Sequence, residues 1–505
     1  MLTWVAIIAM LLVMNIVAVA VHSIQVPPLA YHPLQWKAIK PDTPLSDVDP
    51  SVNFLSLPPP IGSAPIAIRS TPTLNTPLTS SHTHHGRSLV AEWCHTALKA
   101  NTGQHSLVRG STCILSTYVI IPAGSTLTLS TESFSGNGKM AIISGNMTTG
   151  LFYVVGELRV IDLVLQHGKW QFKGGAFNVA TTGRLLVQNS IVRYCTSSSF
   201  GGAIYLSGDA VLELLNSTLE SNKGTYGGAV FVDNGASVVM ASRGTTVVKN
   251  NSALNVGGGM YFQKGSHLNI SGIDTQIVVK GNTADQSAGG LFAGLLSTIT
   301  VSSGARLNFS QNTAYNGGGI LLSDSILSAS KNCSLVFQEN VARARGGGIY
   351  SFSRSSIVLA LGSRLVLEKN AATSGGGITI TDQETTFNIL SSYVLVKKNL
   401  ATNFGGGIFA VNGAKINVAS SYVEVINNEA KTGSGGGIYM ETTQLNIQGL
   451  DTHMLIESNV AESGGGIFAN TDSQIAVSFG GKINISQNRA TYNGGGISLQ
   501  KAHLN

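Results

Sequence analysis

The chain has 505 residues, of which 11% are charged and 59 are glycine, and its formal net charge is +6 at pH 7. Disorder usually requires high charge and few apolar side chains. A hydrophobic fraction of 43% therefore excludes a chain that is disordered throughout. The positive charge is spread thinly, without a basic helix, so the composition does not indicate nucleic-acid binding.

The first 87 residues have the composition of an export signal followed by a linker. Residues 1–21 are apolar and end in Ala18-Val19-Ala20, which is typical of a cleaved signal peptide; the run is also long enough for a signal anchor. Twelve of the thirteen prolines lie between Pro27 and Pro77, so residues 22–87 are predicted to form an extended, disordered linker. The chain is therefore expected to be extracellular or attached to the cell surface.

Residues 88–150 are predicted to form a cap and entry coils ahead of a repeat. Cys94 and Cys113 are close in sequence in this region and are candidates for a disulfide. Cys195 and Cys333 are about five repeats apart, which at about 4.8 Å per stacked strand is too far for a disulfide.

Residues 151–505 contain a repeat that is marked by two or three glycines followed by an apolar residue. The interval between successive copies is 26 to 31 residues. The apolar residues are Phe177, Ile204, Val230, Met260, Leu291, Ile320, Ile349, Ile378, Ile408, Ile438, Ile467 and Ile497.

A second mark, Asn-x-Ala, precedes the glycines in the later copies. Its asparagines are Asn251, Asn282, Asn312, Asn340, Asn370, Asn399, Asn428, Asn459 and Asn488. Apolar pairs with a spacing of two, such as Val394/Val396, stand just before each asparagine and indicate a strand with one buried face.

These marks predict an all-β parallel solenoid, with one coil of about three short strands and three turns per repeat. Glycine suits a bend that requires positive φ or a close backbone approach. The recurring asparagine suits a left-handed turn, and its amide is expected to bond to the asparagine of the next coil in a ladder.

The motifs resemble those of a known family. Gly-Gly-Ala-Ile at 201–204 and Phe-x-x-Asn at 309–312 and 337–340 resemble the GGA[ILV] and FxxN motifs of the chlamydial polymorphic outer-membrane proteins. Residues 143–160 look like the entry coils of pectin-lyase-like β-helices. The resemblance implies a right-handed parallel β-helix and an adhesin. No translocator barrel follows the repeats, so autotransport is not implied and the chain is expected to be truncated at its C-terminus.

Some pectin-lyase-like proteins are polysaccharide lyases or hydrolases, which need clustered carboxylates. Asp324 and Asp382 share a repeat position but are two coils apart, with Ser353 between them. Asp209 and Asp472 are nine coils apart. We therefore predict no catalytic, metal-binding or cofactor-binding residues.

An aromatic residue follows the apolar one in eight of the twelve copies. Alternation places this column, here called the aromatic stripe, on the outside of the sheet. It is interpreted either as a stacking ladder that stiffens the sheet or packs under loops, or as a stripe that contacts a sugar or partner. Its members are Tyr205, Phe231, Tyr261, Phe292, Tyr350, Phe409, Tyr439 and Phe468.

The sequence therefore favours a secreted or cell-surface β-helix protein that acts in adhesion and recognition or as an extracellular scaffold. A glycan or protein is the expected ligand. Contact with a membrane is expected only through the N-terminal segment or a region downstream of Asn505. The alternatives are a carbohydrate-active enzyme of pectin-lyase-like fold and a passive matrix or wall spacer.

Overall fold

The computed structural model describes residue 98 and residues 101–132, 138–241 and 243–505. The predicted signal segment, the linker and Cys94 lie outside the described residues. The regular elements of residues 101–505 are all β-strands, which stack as parallel strands in four sheets. No helix in the described part of the chain is long and apolar enough to cross a membrane.

The predicted parallel β-solenoid is confirmed, but each full coil contains four strands instead of three. We number the sheets 1 to 4 in the order in which the chain visits them after the glycines. The strand that the sequence analysis did not predict belongs to sheet 4 and follows the asparagine. In some coils it is only two residues long, and its apolar pattern is limited to little more than a buried alanine.

Sheet 1 has 14 strands. They are Val119–Ile121, Phe152–Val154, Phe177–Val179, Ile204–Ser207, Val230–Asp233, Met260–Phe262, Leu291–Gly294, Ile320–Ser323, Ile349–Phe352, Ile378–Thr381, Ile408–Val411, Ile438–Glu441, Ile467–Asn470 and Ile497–Gln500.

Sheet 2 has 15 strands. They are Gly103–Leu107, Thr126–Thr131, Glu157–Ile161, Arg184–Gln188, Val211–Leu215, Ser237–Met240, His267–Ser271, Thr298–Ser302, Ile326–Ala329, Ser356–Leu359, Thr386–Leu390, Lys415–Ala419, Gln444–Gln448, Gln474–Ser478 and His503–Leu504.

Sheet 3 has 14 strands. They are Thr112–Ile114, Ala141–Ser144, Leu163–Gln166, Ile191–Arg193, Thr218–Glu220, Gly244–Lys249, Thr275–Lys280, Arg306–Ser310, Ser334–Gln338, Arg364–Glu368, Tyr393–Lys397, Tyr422–Ile426, His453–Glu457 and Lys482–Ser486.

Sheet 4 has 12 strands. They are Lys169–Trp170, Thr196–Ser197, Lys223–Tyr226, Ser252–Val256, Thr283–Ala284, Thr313–Asn316, Val341–Arg345, Ala371–Ser374, Leu400–Phe404, Glu429–Ala430, Val460–Ser463 and Arg489–Asn493.

The core is a set of columns of inward side chains, one from each coil. In sheet 3 the predicted apolar pairs, such as Val394 and Val396, are fully buried. The rings of Phe309 and Phe337, in consecutive coils, stack with centroids 4.9 Å apart. Burial of each such side chain stabilises the fold by about 1.5–3 kcal/mol before entropy is subtracted, so the columns hold the coils together.

Each bend from sheet 4 to sheet 1 uses its glycines for two different reasons. The first glycine has positive φ, as at Gly435 (φ 71°). The second, such as Gly436, does not; a Cβ built there would lie 2.6 Å from the carbonyl oxygen of Gly465 in the next coil. Positive φ therefore explains the first glycine of each run, and close approach to the backbone of the next coil explains the second.

The asparagine ladder is confirmed. From Asn222 to Asn459, each ladder asparagine donates from Nδ2 to Oδ1 of the asparagine one coil later, at 2.9–3.0 Å. The same Oδ1 also accepts the backbone N–H of the preceding asparagine, as Asn340 Oδ1 does from Asn312 at 3.1 Å. The expected left-handed turn is displaced by one residue, because positive φ falls on the residue before, such as Asn427 before Asn428.

The cysteines have two separate roles. Cys113 is disulfide-bonded. Cys195 and Cys333 are free and buried, which agrees with the prediction that they do not pair. Cys195 occupies the ladder position of its coil, where its backbone N–H donates to Asn222 Oδ1 at 3.0 Å, and burial raises the pKa of its thiol to about 12.

Candidate interaction surface

The aromatic stripe lies outside the main core, as alternation predicts, but it is not an open row. Six of its eight rings are buried, with exposed fractions of 2–9%. The ring faces also cover one another: Phe231 and Tyr261 stack with centroids 4.8 Å apart and an interplanar angle of 10°. Tyr439 and Phe468 stack in the same way at 5.4 Å and 12°. These ring faces are therefore covered, which is the geometry of the stacking interpretation.

Aromatic side chains at or just after the C-terminal ends of the sheet 4 strands pack over the aromatic stripe. The ring of Phe200 lies 4.7 Å from that of Phe231, and the ring of Phe404 lies 4.9 Å from that of Tyr439. Tyr226 meets the edge of Tyr261 at 5.8 Å. The stripe thus forms small secondary cores beneath the segment that enters the glycine bend, which is the packing alternative considered for the sequence.

The hydroxyl groups of the stripe are held in buried polar contacts. Tyr261 donates to Gln263 Oε1 at 3.2 Å, and Gln263 donates to Asp233 Oδ1, which also pairs with Lys264 at 3.5 Å. Burial raises the pKa of Tyr261, and it raises the pKa of Tyr439 to about 12. These tyrosines are therefore neutral at physiological pH and serve the packing of the fold.

The two carboxylates that share a repeat position are engaged by their neighbours. Asp324 forms an ion pair with Arg354 of the next coil at 3.4 Å. Asp382 Oδ2 accepts the backbone N–H of Ser353 at 3.1 Å, and its Oδ1 accepts the hydroxyl of Thr381 at 3.1 Å. Both carboxylates thus connect successive coils.

A different aromatic column is partly exposed, and the sequence interpretation missed it. It lies on the outer face of sheet 3, where the rings of Tyr393 and Tyr422 are parallel within 5° and 6.0 Å apart. Arg364 lies over Tyr393 at 5.4 Å, and the ring of His453 is 6.3 Å from that of Tyr422. We call these four residues the outer stack; Tyr422 is 41% exposed.

The outer stack could have been found from the strand pattern. Each member begins a strand of sheet 3 and immediately precedes the first residue of a buried apolar pair, as Tyr422 precedes Val423. Strict alternation places such a residue on the outer face. The four side chains are of three types, and only the two tyrosines repeat a letter, so the column has no regular motif to attract notice.

The comparisons with known proteins agree with the proposed resemblance. The chain is 27% identical over 263 residues to the probable outer membrane protein pmp20 of Chlamydia pneumoniae. The match covers 48% of this chain and 14% of the length of that protein. No protein family and no solved structure matches the chain significantly. The similarity supports the resemblance of the repeats to those of polymorphic outer-membrane proteins.

Proposed function

We propose that the chain is a secreted or cell-surface recognition protein, in which the solenoid is a rigid support and the outward side chains bind a glycan or protein ligand on a cell or in a matrix. The observation that carries this proposal is the contrast between the two faces of sheet 3. In these strands the inward columns carry only apolar side chains, whereas the outer stack changes from Arg364 through Tyr393 and Tyr422 to His453.

A passive spacer needs inward columns only, and polar residues of any kind satisfy its outer face. Large aromatic side chains that remain exposed are typical of surfaces that contact a partner. The outer stack therefore favours recognition over a purely mechanical role. Its position on a sheet supported by the asparagine ladder fixes the spacing of its side chains.

The surface location is supported by the similarity to a protein described as a probable outer membrane protein of Chlamydia pneumoniae. Binding without turnover is supported by the engagement of Asp324 and Asp382 with neighbouring coils. Polysaccharide cleavage generally requires a pair of carboxylates that act on one bond. We therefore propose binding, and not polysaccharide cleavage, as the activity of this protein.

The proposal is tested with the full chain coupled to beads and presented to cultured cells and to immobilised matrix. Binding that the soluble chain competes away is the expected result. The same chain is incubated with polysaccharides while new reducing ends and unsaturated products are measured. Product formation would show an enzyme, and failure to bind any cell or matrix would leave the spacer as the better account.

A further inference from the structure

Large apolar side chains protrude from one corner of the solenoid, the turn between sheets 2 and 3. Leu361, Leu450 and Phe479 are 60%, 76% and 81% exposed, and Leu390 also projects there. We call these four residues the apolar ridge. Hydrogen bonds join the turns of successive coils: Gly362 N donates to Ser391 O at 2.7 Å, and Gly449 N donates to Ser478 O at 3.3 Å.

The backbone at the ridge does not require these residue types. Leu361 and Phe479 have positive φ, 52° in each case, a conformation that bulky side chains rarely adopt. Equivalent turns of other coils carry the polar residues Ser303 and Lys331 there, at φ of 58° and 60°. Neither burial nor backbone geometry therefore accounts for Leu361 and Phe479, and an external contact would.

The outer stack runs beside the ridge, since its residues begin the sheet 3 strands that follow these turns. Arg364 and Lys482 are exposed, and neither forms an ion pair among the described residues. The nearby acids are the exposed Asp451 and the half-buried Glu424. Apolar tips, tyrosines and flanking cations thus occupy one edge of the molecule.

We infer that this edge contacts an anionic lipid surface. Leucine and phenylalanine tips would enter the acyl boundary, the tyrosines of the outer stack would lie at headgroup depth, and Arg364 and Lys482 would meet phosphate groups. The inference goes beyond the proposed function, because a lipid surface is neither a glycan nor a protein. It extends beyond the expectation that membrane contact occurs only through the N-terminal segment or a downstream region.

The geometry of the apolar ridge favours a bilayer over a folded partner. The tips follow one corner of the solenoid, and from Leu361 to Phe479 they span four coil spacings, roughly 19 Å at about 4.8 Å per coil. A projecting row of apolar tips fits a flat and deformable surface, whereas a protein partner would need a matching groove.

A local probe tests the inference in the full chain. Leu450→Cys, labelled with an environment-sensitive fluorophore, should shift its emission to the blue when vesicles of phosphatidylcholine and phosphatidylserine are added. Leu296→Cys is the matched control, because Leu296 is 71% exposed at a turn between sheets 1 and 2. The emission of the label at position 296 should not shift, even if another segment of the chain brings the protein to the vesicle.

Two further variants separate the contributions. Leu361→Asn with Phe479→Asn, polar residues that tolerate positive φ, should abolish the shift at position 450. Arg364→Gln or Lys482→Gln should each weaken binding to the anionic vesicles about fivefold and reduce its sensitivity to salt. Vesicles of phosphatidylcholine alone should bind far more weakly.

No shift at position 450, or an equal shift at position 296, would overturn the inference. A change confined to the oligomeric state in the ridge variants would instead assign the ridge to contact between copies. If cells bind the chain while vesicles do not, the lipid partner is wrong and the proposed function stands. If vesicles bind at the ridge but cells and matrix do not, the proposed function fails by itself.

Discussion

Replacing Asn340 with alanine removes the centre of the ladder that joins the coils. Asn340 Nδ2 donates to Asn370 Oδ1 at 3.0 Å and to the carbonyl oxygen of Phe309 at 2.9 Å. Its Oδ1 accepts from the backbone N–H and the Nδ2 of Asn312, at 3.1 and 2.9 Å. All four bonds disappear in the variant, and the site is fully buried, so water is not available to replace them.

The expected loss follows from the groups that are left without these bonds. Asn370 Oδ1 keeps the bond from the backbone N–H of residue 340. The N–H of Asn312 and the carbonyl of Phe309 lose their ladder bond, and each stranded buried group costs about 1–3 kcal/mol. We therefore expect Asn340→Ala to lower the free energy of unfolding by about 4 kcal/mol, with two groups at about 2 kcal/mol each.

Asn417 provides the matched control, because it belongs to a second amide column on the outer face of sheet 2. Its Nδ2 donates to Asn388 Oδ1 at 2.8 Å and its Oδ1 accepts from Asn446 Nδ2 at 2.9 Å, but the residue is only half-buried and water can replace both bonds. Asn417→Ala should therefore cost less than about 1 kcal/mol.

The assay is urea unfolding followed by circular dichroism, together with amide hydrogen exchange. The stability of a solenoid is approximately the sum of the stabilities of its coils and of the interfaces between neighbouring coils. Local unfolding should therefore speed amide exchange in the coils around residue 340 before the whole chain unfolds. Equal losses in the Asn340 and Asn417 variants would refute the reasoning that burial makes the inner ladder essential.

Further predictions concern the glycine bend, the aromatic stripe and the cap. Gly436→Ala should destabilise the chain more than Gly235→Ala, because a Cβ at 436 would overlap the backbone of the next coil. At 235 no atom lies within 4 Å, so alanine there incurs only the cost of positive φ (83°), about 1–2 kcal/mol; equal thermal midpoints would contradict this. Tyr439→Ser should cost about 3 kcal/mol in thermal unfolding as a buried ring is lost, and an unchanged midpoint would show the stripe to be dispensable. Because the folded pKa of Tyr439 is about 12, above the ordinary 10, its contribution is complete below pH 10 and is lost as pH rises from 10 to 12. Tyr439→Phe should therefore move alkaline unfolding to higher pH, and an identical alkaline midpoint would exclude this ionisation as a cause. Non-reducing peptide mapping should join Cys113 to Cys94, and a different partner for Cys113 would overturn the predicted cap.

Most of the solenoid could be predicted from the sequence because its inward positions repeat. The glycines and Asn340-type asparagines recur at fixed places, and each has one physical task that the next coil shares. The short strand after the asparagine was missed because a segment such as Glu429–Ala430 has no periodic apolar signal. A sequence repeat identifies the residues that stack on their equivalents in the next coil, and it predicts short connecting segments less well.

The candidate surface was harder to predict because alternation tells which face a residue occupies and not what covers it. Tyr439 does lie outside the main core, but Phe404, which covers it, comes from a strand 35 residues earlier in the sequence. The exposed tips, such as Leu450, are single residues in turns of varied length. Only the three-dimensional arrangement brings them beside the outer stack.

The most direct test of the account is cell or matrix binding by the full chain that carries Tyr393→Ser and Tyr422→Ser. Both residues lie on the outer face of sheet 3, away from the inward columns and the ladder. We predict that binding falls at least tenfold while the thermal midpoint stays nearly unchanged. Undiminished binding by the folded variant would contradict the claim that the outer face of this solenoid is its recognition surface.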